Sequence, residues 1–208
     1  MAADARFWNR LADRYAAQPV ADEASYQTKL EVTRRLLRPD MEVFEFGCGT
    51  GSTALTHAPH VRHIRAVDFS ARMIEIARAK AAAAGIDNVD FDVADFTAMT
   101  IAPASTDLVM GHSILHLLAE PQLSVDKAFE ILRPGGAFVT STACLGGIWV
   151  PLVAVLMPVG RALGLLPTLT TFTPDALEAM QRRAGFVIEQ RWQPGRGKAV
   201  FFIARKPA

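Results

Sequence analysis

The sequence predicts an α/β fold in which a mostly parallel β-sheet carries helices on both faces. Short apolar runs of strand length alternate with segments of helical periodicity through five cycles, which is typical of consecutive βαβ units. A glycine-rich turn after the first strand leads directly into a helix, as in nucleotide-binding sheets. The chain has 208 residues, half of them apolar, which suits one domain with a substantial core.

The overall composition argues against several classes of protein. A formal net charge of +1 gives no basic surface of the kind that nucleic-acid binding requires. The two cysteines, Cys48 and Cys144, are far apart and belong to no Cys/His cluster, so neither structural zinc nor a disulfide framework is expected. The first 15 residues mix charges and lack the apolar region of a secretory signal. We therefore expect a cytoplasmic protein.

Two helices are expected ahead of the first strand, over residues 4–17 and 22–37, with Pro19 between them. Because they precede the sheet, residues 1–40 are predicted to form an N-terminal helical cap. The aromatic side chains of this cap have two interpretations, which are packing within the cap and a lid over a bound ligand. They are Trp8, Tyr15 and Tyr26.

The glycine-rich turn follows a predicted strand at residues 43–46 and precedes a helix that starts near Ser52. Glycines allow positive φ and leave no Cβ, so a ligand can lie against bare backbone. A dinucleotide fingerprint requires glycine where this chain has Ser52, and a P-loop requires a lysine that the turn lacks. The turn fits neither motif. Its residues are Gly47, Cys48, Gly49, Thr50 and Gly51.

Polar residues follow the next three predicted strands, which are expected over residues 63–68, 89–93 and 107–111. Asp68 closes the first of them about 20 residues beyond the glycine turn, where a carboxylate can accept both hydroxyls of a ribose. Asp95 and Phe96 follow the second, and His112 follows the third. Ligands in open parallel sheets bind outside the carboxyl ends of the strands. We therefore expect these residues to share one site with Glu45.

Five segments between residues 40 and 142 resemble, in order, the motifs of class I S-adenosylmethionine (SAM)-dependent methyltransferases, particularly the ubiquinone/menaquinone-biosynthesis type. This resemblance implies a Rossmann-like, doubly wound sheet of seven strands, mostly parallel, with one antiparallel strand near its edge. The Asn/Asp-Pro-Pro-Tyr motif of many nucleic-acid methylators does not follow the fourth strand, which disfavours adenine-N6 methylation. The segments are Glu45-x-Gly47-x-Gly49-x-Gly51, Ala66-Val67-Asp68-Phe69-Ser70, Ala94-Asp95-Phe96, the Asp107 strand with Ile114-Leu115-His116-Leu117-Leu118, and Leu132-Arg133-Pro134-Gly135-Gly136.

By this resemblance the cofactor is SAM. Glu45 and the backbone of the glycine turn would hold its methionine part, and Asp68 its ribose. Asp95 with Phe96 would contact the adenine ring. The remaining predicted cofactor contacts are Phe69, Met73 (with core packing as the alternative), the backbone around Gly111 and His112, and the rings of Tyr15 and Tyr26, which can stabilise a sulfonium.

The predicted cofactor-binding core, residues 41–142, is followed by an insertion at residues 143–172 that the fold does not need. Its run at 148–158 is almost wholly apolar, but it is too short and too interrupted by proline to span a bilayer. It can be an apolar lid over a substrate pocket, a buried helix or a segment dipping into a bilayer. Its position near the ligand edge favours the lid. Residues 173–208 are predicted to form a C-terminal helix and an antiparallel strand pair.

His112 is the candidate catalytic residue, because methyl transfer to oxygen often needs a base. The histidines at His57, His60 and His63 are expected at the opposite edge of the sheet, and no metal is predicted.

The sequence thus predicts an enzyme that transfers a methyl group from SAM to a small, rather apolar acceptor, at an undetermined oxygen, carbon or nitrogen atom. Two alternatives stay open. One is a SAM-binding protein without catalysis. The other is a nicotinamide-dependent oxidoreductase, against which Ser52 and the missing Tyr-x-x-x-Lys motif argue. No nucleic-acid partner is expected, membrane contact is expected to be peripheral if it occurs, and the oligomeric state is not predicted.

Overall fold

The computed structural model describes residues 2–144, 166–195 and 197–208. The apolar run at 148–158 and its three interpretations lie outside the described residues, as does most of the predicted insertion at 143–172. No helix within the described ranges is long and apolar enough to cross a bilayer. The division into cap, core, insertion and C-terminal unit stays a prediction.

One sheet of seven strands organises the fold. Its strands are β1 (Glu42–Phe46), β2 (His63–Asp68), β3 (Val89–Val93), β4 (Thr106–His112), β5 (Leu132–Thr142), β6 (Val187–Trp192) and β7 (Val200–Arg205). They lie in the order β3-β2-β1-β4-β5-β7-β6. Strands β1 to β5 pair in parallel, and β7 is antiparallel to both β5 and β6. The predicted seven-stranded sheet with one reversed strand near its edge is confirmed.

The strand order reverses at β1, because β2 and β3 lie on one side of it and β4 and β5 on the other. A crevice opens at such a switch point, since the connections leave the carboxyl ends of β1 and β4 toward opposite faces of the sheet. The topology therefore fixes the position of a ligand site before any side chain is considered.

Helices cover both faces of the sheet. They are α1 (Ala2–Ala17), α2 (Glu23–Arg34), α3 (Ser52–His57), α4 (Ala71–Ala84), α5 (Pro121–Ile131) and α6 (Pro174–Arg183). Two of these helices begin at a side-chain cap: Ser70 accepts a hydrogen bond from the Met73 backbone N–H, and Thr173, which precedes Pro174, accepts one from the Ala176 N–H. Gly85 ends α4 with φ +64°.

The two faces of the sheet bury separate apolar clusters. Val43 lies in the cluster that packs under α3 and α4, and its neighbour Phe44 in the cluster under α5 and α6. This alternation follows from the period of two in a strand. Glu45 lies on the same face of β1 as Val43, which is the face covered by α3. Its side chain is buried.

Strand β5 begins earlier than the sequence predicts. The sequence places a sharp turn at residues 133–136 and the strand after it. In the structure Leu132 already pairs with Thr106, and the next pair is Ala137 with Leu108. The intervening residues bulge out of the ladder, which Gly135 permits through its φ of +76°.

The N-terminal helices close the carboxyl edge of the sheet. In α1 the side-chain oxygen of Asn9 accepts hydrogen bonds from the Ser70 hydroxyl (2.7 Å) and the Arg72 backbone N–H (3.1 Å). Asp13 pairs with the Arg72 guanidinium at 2.6 Å. Both contacts hold α1 across the start of α4. Residues of α1 and α2 line one cavity together with residues at the ends of β1 and β2.

The spacing of β1 and β4 depends on Gly111, because a Cβ at this position would lie 2.5 Å from Cζ of Phe46. We predict that Gly111→Ala lowers the free energy of unfolding by about 1–3 kcal/mol through overpacking, measured by urea denaturation. Adding Phe46→Leu should recover part of this loss.

Gly85→Ala is the matched control. A Cβ at Gly85 would meet no described atom within 4 Å, but the residue has φ +64°, so alanine should cost about 1–2 kcal/mol from backbone strain alone. That cost should be the same with or without Phe46→Leu. If adding Phe46→Leu changed the free energy of unfolding of Gly111→Ala and Gly85→Ala by the same amount, the steric explanation would be contradicted.

Candidate functional site

A cavity of about 540 Å³ lies between the carboxyl ends of four strands (β2, β1, β4 and β5) and the N-terminal helices. Ten of the fourteen side chains and backbone positions predicted from the sequence line it. The topology thus brings most of the predicted site together. The ten are Tyr15, Tyr26, Glu45, Gly47, Cys48, Gly49, Asp68, Phe69, Met73 and His112.

The glycine turn presents its backbone to the cavity at Gly49. All three glycines of the turn have positive φ, between +54° and +75°, a conformation that side chains with a Cβ rarely adopt. At Gly47 a Cβ would strike Ile114 at 2.4 Å, whereas at Gly49 the nearest atom would be a ring carbon of Tyr15 at 4.0 Å. Gly49 therefore leaves room for a ligand, and Gly47 is needed for packing.

Asp68 at the end of β2 fixes this turn. Its carboxylate accepts hydrogen bonds from the Gly49 N–H (3.0 Å) and the Ser70 N–H (2.8 Å). Burial raises the pKa of Asp68, and the two N–H groups oppose that change. Each carboxylate oxygen keeps a second lone pair. Asp68 can therefore hold the turn and still accept hydrogen bonds from a ligand.

Glu45 is the most deeply buried acid of the site, at 2% exposure. Its Oε2 has no hydrogen-bond partner among the described residues. The pKa of Glu45 is raised to about 8, chiefly by burial. The hydrogen bond from the Ala54 backbone N–H opposes this effect, and the nearby charge of Asp68 adds to it. An unpartnered buried carboxyl group is costly. Its position in the cavity wall is suited to a cationic group of a ligand.

The two tyrosines of the cap stand over the turn. Burial raises the pKa of Tyr15, and the charges of Asp68 and Glu45 add to that effect. Burial likewise raises the pKa of Tyr26, which hydrogen-bonds to the side chain of Thr53. Both phenols are therefore neutral at physiological pH and present aromatic rings to the cavity.

Two predicted glycine positions do not line the cavity. At Gly51 a Cβ would lie 2.7 Å from the ring of Phe91 and 2.9 Å from Ala77, so glycine is required for packing behind the turn. Gly111 lies against the ring of Phe46. The structure explains both glycines by close packing, and their predicted contact with the cofactor stays a prediction.

The predicted adenine contacts also lie outside the cavity wall. Asp95 accepts hydrogen bonds from the backbone and the hydroxyl of Thr97 (3.0 and 2.9 Å), and so begins a short 3-10 helix. Phe96 is buried, and its ring stacks on Phe46 with centroids 4.6 Å apart. The assignment of these two residues to adenine stays a prediction.

His112 lies at the end of β4, with its ring parallel to Phe201 at 6.4 Å between centroids. Burial lowers the pKa of His112 to about 3, with smaller effects from the charges of His57 and Lys29. Its ring is therefore neutral at physiological pH, and it is a weaker base than a group whose pKa lies near 7.

His57 lies nearer to the site than the sequence indicates. It is buried at the end of α3, neither ring nitrogen has a partner among the described residues, and burial lowers its pKa to about 4. A positive charge on His57 would lower the pKa of His112. Within the described ranges no group of three or more His, Cys, Asp or Glu side chains is arranged to hold a metal ion.

Two lysines that line the cavity were not predicted from the sequence. Lys29, in α2, donates a hydrogen bond to the Ser141 hydroxyl at the end of β5 (2.8 Å). Lys80, in α4, donates to the hydroxyls of Thr50 (2.9 Å) and Ser52 (3.3 Å). Burial lowers the pKa of both lysines. Helical spacing from Tyr26 could have indicated the face on which Lys29 lies, but not the strand end that its side chain reaches.

Comparison with known proteins decides the family. Residues 37–183 match the family model of a methyltransferase domain. The chain belongs to the methyltransferase domain family. This membership confirms the predicted class I SAM-dependent methyltransferase and its cofactor, SAM.

The chain is similar to several curated relatives. It is 33% identical over 97 residues to demethylmenaquinone methyltransferase from Clavibacter sepedonicus, and the match covers 47% of this chain and 39% of that protein. It is 28% identical over 181 residues to ubiquinone biosynthesis O-methyltransferase from Xylella fastidiosa, and this match covers 81% of this chain and 71% of that protein. The chain spans less than half the length of the first curated relatives it matches.

Solved structures share the fold of the chain. Geranyl diphosphate methyltransferase in complex with SAM superposes with a TM-score of 0.70 at 14% identity, over 86% of this chain and 84% of that one. The [4+2]-cyclase SpnF superposes with a TM-score of 0.72 at 17% identity, over 86% and 80%. At these identities the likeness concerns the fold alone.

The cavity fits SAM in two respects. Glu45 lines it with an oxygen that has no partner among the described residues, so a cationic amino group bound beside Glu45 would be stabilised. The backbone at Gly49 lies open where a Cβ would reduce the space.

The raised pKa of Glu45 predicts a proton release on cofactor binding. Without ligand Glu45 holds its proton up to about pH 8, and a cationic amino group beside it would favour the ionised form. Between its ordinary pKa and about 8, S-adenosylhomocysteine binding should therefore release on the order of one proton and should tighten as pH rises. Calorimetry in buffers of different ionisation enthalpy measures this release.

Glu45→Gln is the control, because it keeps the shape of the side chain and cannot release a proton. The same pKa shift destabilises the unliganded wild type as pH rises from about 4.5 to about 8. Glu45→Gln should lack that loss of stability. Buffer-independent binding enthalpy in the wild type would contradict the assignment.

Proposed function

We propose that the chain transfers a methyl group from SAM to a small, largely apolar acceptor. The observation that carries this proposal is the cavity itself. It joins a family-typical glycine turn and two buried carboxyl groups to an apolar wall that includes Trp8, Leu30, Ile114 and Leu117. The polar part suits the cofactor and the apolar part suits the acceptor.

The cofactor contacts assigned from the sequence form part of this proposal. Glu45 would bind the amino group of the methionine part and Asp68 the ribose hydroxyls, with the turn at Gly49 between them. Met73 and Phe69 would contact the nucleoside from the start of α4. Met73 is buried to 3% exposure, which agrees equally with the core packing that the sequence left open.

The chain contributes to the reaction mainly by positioning and by excluding water. When bound, SAM supplies an activated methyl group on a sulfonium. Holding donor and acceptor in line converts a bimolecular encounter into a reaction within one site. The rings of Tyr15 and Tyr26 can stabilise the positive charge on sulfur. His112, neutral at the end of β4, can accept a hydrogen bond from the acceptor.

The acceptor class can be narrowed by the curated relatives. Two of them are named for demethylmenaquinone and ubiquinone biosynthesis, so we propose a ring of quinone or quinone-precursor type as the acceptor. A cytoplasmic location, peripheral membrane contact and the absence of a nucleic-acid partner stay predictions.

A SAM-binding protein without catalysis is the second candidate. The low pKa of His112, about 3, favours it because no strong base is identified at the strand end. Tight binding of S-adenosylhomocysteine without turnover of any acceptor in a panel of phenols and hydroquinones would support this candidate. Formation of S-adenosylhomocysteine from SAM with one of them would support the enzyme. The nicotinamide-dependent oxidoreductase is disfavoured by the family membership.

Asp68 provides the sharpest test of cofactor binding. We expect Asp68→Ala to weaken S-adenosylhomocysteine binding by roughly 1–3 kcal/mol, because charge-assisted hydrogen bonds to the ribose are lost. Calorimetry measures the affinity, and thermal denaturation without ligand separately reports the loss of the Gly49 and Ser70 hydrogen bonds.

Asp90→Ala is the matched control. Asp90 is an exposed carboxylate on β3 that hydrogen-bonds to His63 and does not line the cavity. Its loss should leave the affinity within about twofold of wild type, well below the tenfold that 1.4 kcal/mol represents. An unchanged affinity in a folded Asp68→Ala protein would refute the ribose assignment.

A further inference from the structure

The end of the cavity beside β5 differs from the rest. The glycine turn, Glu45 and Asp68 lie at the ends of β1 and β2, and the proposed cofactor contacts reach no further than His112 on β4. Neighbouring strands are about 4.8 Å apart, so β5 lies roughly 10 Å from β1. The space beside β5 is therefore available to the second substrate.

Lys29 is the charged group of this end. It is half-buried, and no carboxylate of the described residues lies within ion-pair distance of it. Its ammonium group has three N–H donors, of which one binds the Ser141 hydroxyl at 2.8 Å. Partial removal of an ammonium from water without a counterion costs free energy. A bound anion would offset that cost.

The neighbours of Lys29 balance its charge only in part, because Asp22, whose charge favours the ionised ammonium, is itself paired with Lys198 at 3.1 Å. Ser141 pairs with His112 across β4 and β5, and burial keeps the His112 ring neutral by lowering its pKa to about 3. His116 also lines the cavity, and burial lowers its pKa as well. The acidic residues of the described cavity wall are Glu45 and Asp68, which lie on β1 and β2 rather than on β5.

Lys80 differs from Lys29 in its position. It reaches the outer side of the glycine turn through Thr50 and Ser52, on the β1 side of the cavity. The two lysines therefore face different parts of the same cavity. Substituting each one in turn distinguishes the contribution of the β5 end from that of the glycine turn.

We propose that Lys29 and the Ser141 hydroxyl bind an anionic oxygen of the acceptor. The acceptor is thus an acid, with an apolar ring or chain that carries a carboxylate or an ionised hydroxyl. This inference rests on the proposed function and deepens it by naming the chemical class of the substrate. The ammonium group orients the acceptor and, for an ionised hydroxyl, stabilises the oxygen as the anion.

Binding of matched anionic and neutral probes to the protein saturated with S-adenosylhomocysteine tests the proposal. Naphthoate and naphthamide form the carboxylate pair. Lawsone, a hydroxynaphthoquinone that is anionic at neutral pH, and its methyl ether form the hydroxyl pair. Calorimetry should give a preference for the anion of about tenfold in at least one pair, which corresponds to 1.4 kcal/mol. The pair that shows it distinguishes the carboxylate from the hydroxyl.

Lys29→Met keeps the apolar stem of the side chain and should reduce the preference to less than about twofold, while Lys29→Arg should retain most of it. Lys80→Met is the matched control and should leave the preference unchanged. Thermal denaturation establishes that each variant is folded. In the two Lys29 variants the affinity for S-adenosylhomocysteine should stay within about twofold of wild type.

Three results would overturn the proposal. They are the absence of an anion preference in the wild type (including failure of both anions to bind), a preference that survives in Lys29→Met, and a loss of S-adenosylhomocysteine affinity in that variant. The last result would assign Lys29 to the carboxylate of the cofactor. Failure of the wild type to bind S-adenosylhomocysteine at all would instead reject the proposed function.

Discussion

The site depends on the hydrogen bonds that Asp68 accepts from the Gly49 and Ser70 N–H groups. They join the end of β2 to the turn that follows β1, and so hold the glycine backbone in its left-handed conformation at the switch point of the sheet. Ordering three glycines with positive φ costs conformational entropy. The two hydrogen bonds help to offset that cost. A ligand that meets this turn finds its backbone already positioned.

The same region contains polar groups that folding alone does not explain. Glu45 is buried with an unpartnered oxygen, and Lys29 is half-buried without a carboxylate partner in the described part of the chain. The two face different ends of one cavity. Each raises the free energy of the unliganded protein, and a cationic ligand group beside Glu45 or an anionic one beside Lys29 would offset that cost. Such local cost at a cavity is typical of a functional site rather than of a stability element.

The sheet and the part of the cavity beside the glycine turn could be predicted from the sequence, because strand period, turn glycines and strand-end carboxylates are local signals. The positions of Gly51 and Phe96 could not, since their packing against Phe91 and Phe46 depends on tertiary contacts. Lys29 was missed for the same reason. Its partner, Ser141, lies 112 residues away in the chain, and no local pattern encodes that distance.

The most direct measurement is a crystal structure with S-adenosylhomocysteine bound. We expect the ribose hydroxyls within hydrogen-bond distance of the Asp68 carboxylate, the amino group beside Glu45, and Lys29 free of contact with the ligand's carboxylate. A ligand bound elsewhere, or one that leaves Asp68 and Glu45 without contact, would contradict the assignment of the site.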